Sequence, residues 1–147
     1  MKILKIYFDV CCYNRPFDDL TQLRIRLEAE AVLAILRIVQ ERKWVLVSSE
    51  VVDLEISNMK NSTKRNKVFE LSHLSQESVF ITEAIIKRAN NLQTFGVKAL
   101  DSFHIAAAES SGVDVFLSTD DDLVKLANRL ALSVRVANPL GWLGEVL

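Results

Sequence analysis

Residues 99–123, A-L-D-S-F-H-I-A-A-A-E-S-S-G-V-D-V-F-L-S-T-D-D-D-L, decide how the chain is built. The first half carries the small and apolar residues of a packed helix. Ser110, Ser111 and Gly112 close it, and the glycine suits a left-handed cap. Residues 113–117 read as a short buried strand, apolar but for Asp114, and Ser118-Thr119-Asp120 breaks it where the next helix needs a cap. In an α/β unit the helix runs antiparallel to its strands, so helix N-termini and strand C-termini share one sheet edge. That edge is where open α/β sheets bind ligands. Asp101, in the first turn of the helix, and Asp120, after the strand, are therefore expected to meet there.

The same pattern extends outward in both directions. Residues 3–8 (I-L-K-I-Y-F) form a mostly apolar strand suited to the centre of a parallel sheet, and it ends at Asp9. A loop with Asn14, Arg15 and Pro16 follows, and Asp18 or Asp19 is placed to cap a long helix. Leu20, Leu23, Leu27, Ala31, Ala34, Ile35 and Ile38 recur there at three- and four-residue steps, predicting its core-facing stripe. Residues 44–47 (W-V-L-V) are a second strand. Ser48 or Ser49 then caps a helix with Val52, Ile56 and Met59 inward and Glu55 in its second turn.

After the basic run M-K-N-S-T-K-R-N-K comes a helix with Val68, Leu71 and Leu74 inward. A peripheral extended piece follows at 79–81, and Thr82 caps a helix whose face is Ile85, Ile86, Ala89 and Leu92, ended by Gly96. Beyond the quoted stretch, a helix at 121–131 leads to a last strand at 133–137, stopped by Pro139. Strands alternating with helices predict an α/β fold in three layers, α/β/α, around a central, mostly parallel sheet of four to five strands.

Composition sets bounds on this reading. At 147 residues the chain is expected to be a single domain, 1–147, with room for a sizeable core. A net charge of −1 argues against a broad electrostatic grip on nucleic acid, though not against a local one. No secretory leader and no membrane-length apolar run is read, and Cys11 and Cys12 are adjacent, which suits reduced thiols and a cytoplasmic protein.

Four carboxylates are expected on the ligand-binding edge: Asp9, Glu55, Asp101 and Asp120, with no Lys or Arg at a matching position to pair each of them. Two carboxylates at about 4 Å repel by roughly 4 kcal/mol at an effective dielectric near 20. Such a cluster must take up protons or hold a cation, and hard oxygen donors suit Mg²⁺ or Mn²⁺.

Here the sequence resembles the PIN-domain family, metal-dependent ribonucleases that include many toxins of toxin–antitoxin systems. The resemblance covers essentially the whole chain. It rests on the strand ending in Asp9, on Ser49 and Glu55 opening a helix, on Asp101-Ser-Phe-His-Ile-Ala-Ala, and on Ser118-Thr-Asp120-Asp-Asp-Leu. It implies a sheet ordered 3-2-1-4-5 and a hydrolase cutting RNA phosphodiester bonds by metal-activated water. It implies Asp9, Glu55, Asp101 and Asp120 as catalytic and metal-binding residues, with Ser118 and Asp122 in support. It also implies an RNA substrate, and either homodimers or complexes with an antitoxin. Where the family often has Thr and Asn after its first Asp, this chain has Val10 and Cys11.

Each feature also has a plainer reading. Acids near helix N-termini cap orphan amides and suit the dipole, which accounts for Asp101 or Asp120 singly. Glu50 and Asp53 compete with Glu55, whose spacing from Ser49 favours it. His104, three residues after Asp101, reads as a packed histidine beneath the site rather than a base or ligand, and His73 as a surface residue. Lys60, Lys64 and Arg65, with Arg15 across the cleft, form an RNA-binding candidate or an ordinary solvated face. Trp142 and Leu143 read as closing the core or a dimer contact. Two rival functions remain: a catalytically inactive PIN-like module binding RNA or protein, and phosphoryl-transfer chemistry. The second is disfavoured because neither Val10 nor Cys11 supplies the extra acid it needs after the first strand.

Overall fold

The computed structural model describes residues 2–147. Five strands form one sheet: β1 (Lys5–Phe8), β2 (Val45–Ser49), β3 (Glu77–Val79), β4 (Val115–Leu117) and β5 (Arg135–Ala137). Their order is β3-β2-β1-β4-β5 and every pairing is parallel. Among the described residues eight helices surround them: α1 (Val10–Asn14), α2 (Leu23–Gln40), α3 (Glu50–Ser57), α4 (Ser62–Ser72), α5 (Glu83–Gln93), α6 (Ala99–Ser111), α7 (Asp121–Asn128) and α8 (Pro139–Val146). A short 3₁₀ turn, Arg15–Phe17, links α1 towards α2. The expected three-layer α/β architecture is present, with all five strands parallel.

The strand order places β1 at the centre, and Ile6, Tyr7 and Phe8 have no solvent exposure. After β1 the chain moves outward through β2 to β3, then returns to the other side of β1 for β4 and β5. That reversal lies between β1 and β4, where side chains beyond the strand ends are exposed to a crevice instead of a covering helix. Asp9 and Ser118 stand there. The ladder continues into both, with Asp9 N–H donating to Leu117 O at 2.9 Å and Ser118 N–H to Ala137 O at 3.0 Å.

Local capping sets the helix starts around the edge. Ser49, Asn61, Thr82, Asp120 and Asn138 each accept a backbone N–H of the helix they precede. Gly112 closes α6 at φ 66°. The main core is contiguous, and a smaller apolar cluster of Ile85, Ala89 and Ala106 joins α5 to α6.

Several sequence expectations need correction. The long helix starts at Leu23 without a side-chain cap, and Asp19 instead closes a local turn by accepting from the N–H and hydroxyl of Thr21. Leu20, Leu23 and Leu27 are exposed, and the buried arc of α2 runs through Glu28, Ala31, Val32, Ile35, Leu36 and Val39. The pattern failed there because a charged residue holds an inward position. Glu28 lies within 3.1 Å of Arg15 Nε and 3.5 Å of Arg24 Nε, and it accepts from Asn138. Ile86 points outward, while Ile85, Ala89 and Leu92 are buried. The extended piece expected at 79–81 lies two residues earlier, as the edge strand β3. Pro139 does not merely stop β5; it occupies the first turn of α8, where its missing N–H costs nothing. Trp142 of that helix is buried edge-on against Trp44, ring centroids 5.2 Å apart.

Candidate metal centre

Asp9 is the deepest acid of the site, 6% exposed. It precedes α1 but does not cap it. Its Oδ2 accepts the Ser118 hydroxyl at 2.9 Å and the Cys11 thiol at 3.4 Å. Cys11 thus helps orient the first carboxylate, and its sulfur accepts the Thr119 N–H at 3.3 Å. Burial, with nearby Glu55 adding to it, raises the Asp9 carboxyl above its ordinary pKa, against the opposing pull of His104, Ser118 and Cys11.

Glu55 comes from the second turn of α3, the helix that Ser49 caps, and it is partly exposed. Its Oε1 lies 2.7 Å from His104 Nε2. The two alternatives lie elsewhere: Asp53 is exposed, and Glu50 accepts the Ile81 N–H at 2.7 Å. Asp9, Glu55 and His104 each offer one donor atom, all within 4.8 Å of one another.

Asp101 adds a third carboxylate to the electrostatics of this group. Burial, then Asp9, Asp120 and Glu55, push its carboxyl from 3.8 to about 6, with His104 opposing. Asp120 is placed differently. Its Oδ1 accepts the N–H groups of Asp122 and Leu123, so the helix-capping reading holds for that oxygen. Ser118 links the two sides of the edge: its hydroxyl donates to Asp9 and its oxygen accepts the Asp120 N–H at 3.1 Å. Asp101, Asp120 and Asp122 line a cleft of about 410 Å³ together with Lys98, Lys125 and Arg129.

The basic residues singled out in the sequence are placed otherwise. Arg15 Nη1 and Lys64 Nζ both pair with Asp18, at 3.0 and 2.7 Å, and Arg15 also faces Glu28. Arg65 donates to the Met59 carbonyl at 3.3 Å, and Lys60 is exposed. His73 is exposed and stacks on Phe69.

Two residues of the site were not foreseen in these roles. His104 is fully buried within the acid cluster instead of beneath it, and Tyr7 contacts it from β1. A tyrosine between Ile6 and Phe8 in a buried central strand carries a hydroxyl that must find a partner, which was the available signal.

The donor set fits a hard divalent cation, because the buried Asp9 and the partly buried Glu55 and Asp101 repel one another until charge is supplied. Among the described residues no helix is long and apolar enough to cross a membrane.

No family model matches the chain, and no curated protein matches it. Among solved structures, the crystal structure of VapBC2 from Rickettsia felis, bound to a DNA fragment from their promoter, is similar over 92% of this chain and 98% of the matched one. The TM-score is 0.59 at 11% identity. That likeness joins the 3-2-1-4-5 strand order. The fold is PIN-like. At this identity the agreement lies in the PIN-like backbone arrangement.

Proposed function

We propose that the protein is a divalent-metal-dependent endoribonuclease, a hydrolase of RNA phosphodiester bonds. The observation that carries this reading is Asp9. It is a buried carboxylate, held by Ser118 and Cys11 on the crevice edge, beside Glu55 and near Asp101, and among the described residues no Lys or Arg is bonded to any of the three.

Asp9 and Glu55 would hold Mg²⁺ or Mn²⁺, with Asp101 as a further ligand and Asp120 through the oxygen its capping role leaves free. Such an ion supplies an activated water and neutralises charge on the leaving oxygen. The chain's own residues prepare for it. Ser118 and Cys11 turn Asp9 into the crevice, and burial at the strand end keeps bulk water from screening the group. Asp122 stands at the rim as an accessory acid. Lys98, Lys125 and Arg129 share the cleft with Asp101 and can meet the phosphates on either side of a scissile bond.

The VapBC2 relative is a two-protein assembly by its name. By analogy, this chain would act as a toxin restrained by an antitoxin protein, as a homodimer in the cytoplasm. Cleavage of a mixed single-stranded RNA pool in Mg²⁺ or Mn²⁺ tests the activity. The expected products carry 5′-phosphate and 3′-hydroxyl ends, and EDTA or Asp9→Asn abolishes them. Metal-independent RNA binding without cleavage would favour an inactive binding module instead.

A further inference from the structure

Behind Glu55 lies a hydrogen-bonded chain that the metal chemistry does not itself require. The Val52 N–H donates to Ser49 Oγ at 3.2 Å, Ser49 Oγ lies 2.7 Å from Tyr7 Oη, and Tyr7 Oη lies 2.7 Å from His104 Nδ1. His104 Nε2 then reaches Glu55 Oε1 at 2.7 Å. Ser49, Tyr7 and His104 are all at 0% exposure, so no solvent can repair a mismatched donor. Burial also raises the Tyr7 hydroxyl well above its ordinary pKa, so it stays protonated and has one hydrogen to give.

The direction of the chain follows from counting hydrogens. Ser49 Oγ already accepts from Val52, and its own hydrogen has one neighbour to go to, Tyr7 Oη. The Tyr7 hydrogen must then point to His104 Nδ1. That makes Nδ1 an acceptor, puts the ring proton on Nε2, and aims it at Glu55. Reversed, Tyr7 would donate to Ser49, and the serine hydrogen would be left buried without an acceptor. A metal ion on Nε2 would force that reversal.

We propose that Tyr7 and His104 are positioning residues: the buried chain from Ser49 fixes the imidazole as a donor to Glu55, holding that carboxylate towards Asp9. His104 is therefore not a metal ligand, although its Nε2 lies within 4.8 Å of both carboxylates. The other oxygen of Glu55 has no hydrogen-bond partner among the described residues and is the one left for an ion. This inference rests on the reading that Glu55 helps hold the metal.

The test has a spectroscopic arm and a binding arm. Nitrogen-15 NMR of the His104 ring in the wild-type protein should show a protonated Nε2 and an unprotonated Nδ1, unchanged when Mg²⁺ is added to saturation. Tyr7→Phe, which keeps the volume and removes the donor, should mix the two tautomers. Mn²⁺ titrated calorimetrically should bind about 10- to 100-fold more weakly to His104→Ala and Tyr7→Phe, the range for residues that orient a ligand. His104→Gln restores an N–H donor and should bind close to the wild type. Deprotonation of Nε2 on Mg²⁺ binding, or wild-type Mn²⁺ affinity in both His104→Ala and Tyr7→Phe, would overturn the proposal. Mn²⁺ binding with the expected losses but no RNA cleavage would remove the nuclease reading and leave this one standing. Cleavage with unchanged metal affinity would do the opposite.

Discussion

Ser118, one residue past the end of β4, gives its hydroxyl hydrogen to Asp9, one residue past the end of β1, across 2.9 Å and 109 positions of chain. The bond joins the two strand ends that flank the reversal of the sheet. Ser118→Ala would leave Asp9 buried with the weak Cys11 thiol as its remaining side-chain donor, favouring the neutral acid. The expected result is metal affinity lowered by about 10- to 100-fold, measured by Mn²⁺ calorimetry. Metal-free stability should fall by about 1 kcal/mol, the net worth of a typical hydrogen bond.

Asp9→Asn removes a desolvated, repelled charge while keeping the side-chain shape. Metal-free thermal stability should stay equal or rise, and the stabilisation given by Mg²⁺ to the wild type should disappear. Differential scanning calorimetry with and without Mg²⁺ reads both. A clear loss of metal-free stability would make the acids structural instead.

The raised carboxyls carry a sign for pH. Asp101 titrates near 3.8 unfolded and about 6 folded. Between those values the native state binds more protons than the unfolded one, so metal-free stability falls as pH rises through that window. Asp101's own contribution is highest below the unfolded value and flat above the folded one. After allowance for solvent screening of this partly exposed group, Asp101 contributes a loss of about 1–2 kcal/mol. Urea unfolding at pH 4.5 and 7 should show that loss shrink in Asp101→Asn.

Charge reversal separates the two basic groups. Lys98→Glu, Lys125→Glu and Arg129→Glu should weaken binding of single-stranded RNA. The salt slope should fall by about 0.7 for each phosphate no longer neutralised. Arg15→Glu should act mainly on stability, because Arg15 pairs with the buried Glu28 as well as Asp18.

Glu28→Ala should destabilise the fold by about 3 kcal/mol, as expected when one partner of a buried ion pair is removed. Activity per folded molecule should change little, since Glu28 touches Arg15, Arg24 and Asn138 but none of the acids on the crevice edge.

Much of this architecture was legible from residue order. The caps at Ser49, Thr82 and Asp120, the glycine ending α6 and the apolar central strand all followed from local chemistry. They put Asp9, Glu55, Asp101 and Asp120 on one edge. What escaped depended on long-range pairings that no local pattern encodes. The leucines opening α2 repeat at helical spacing yet face outward, because the turn of the helix is set by Glu28 meeting an arginine 13 positions earlier and an asparagine 110 positions later. The pairing of Tyr7 with His104, 97 positions apart, needed the register of β1 beneath α6. The basic run at 60–67 has the look of a clamp, but Asp18 holds Lys64.

The centre draws its parts from the ends of β1 and β4, from α3 and from α6, so no short stretch of the chain contains it. A chain still emerging from the ribosome lacks Ser118 and the far half of the sheet when Asp9 and Glu55 are already made. An ion site on this edge therefore needs β1, α3, α6 and β4 folded together, and it is incomplete until Ser118 has met Asp9.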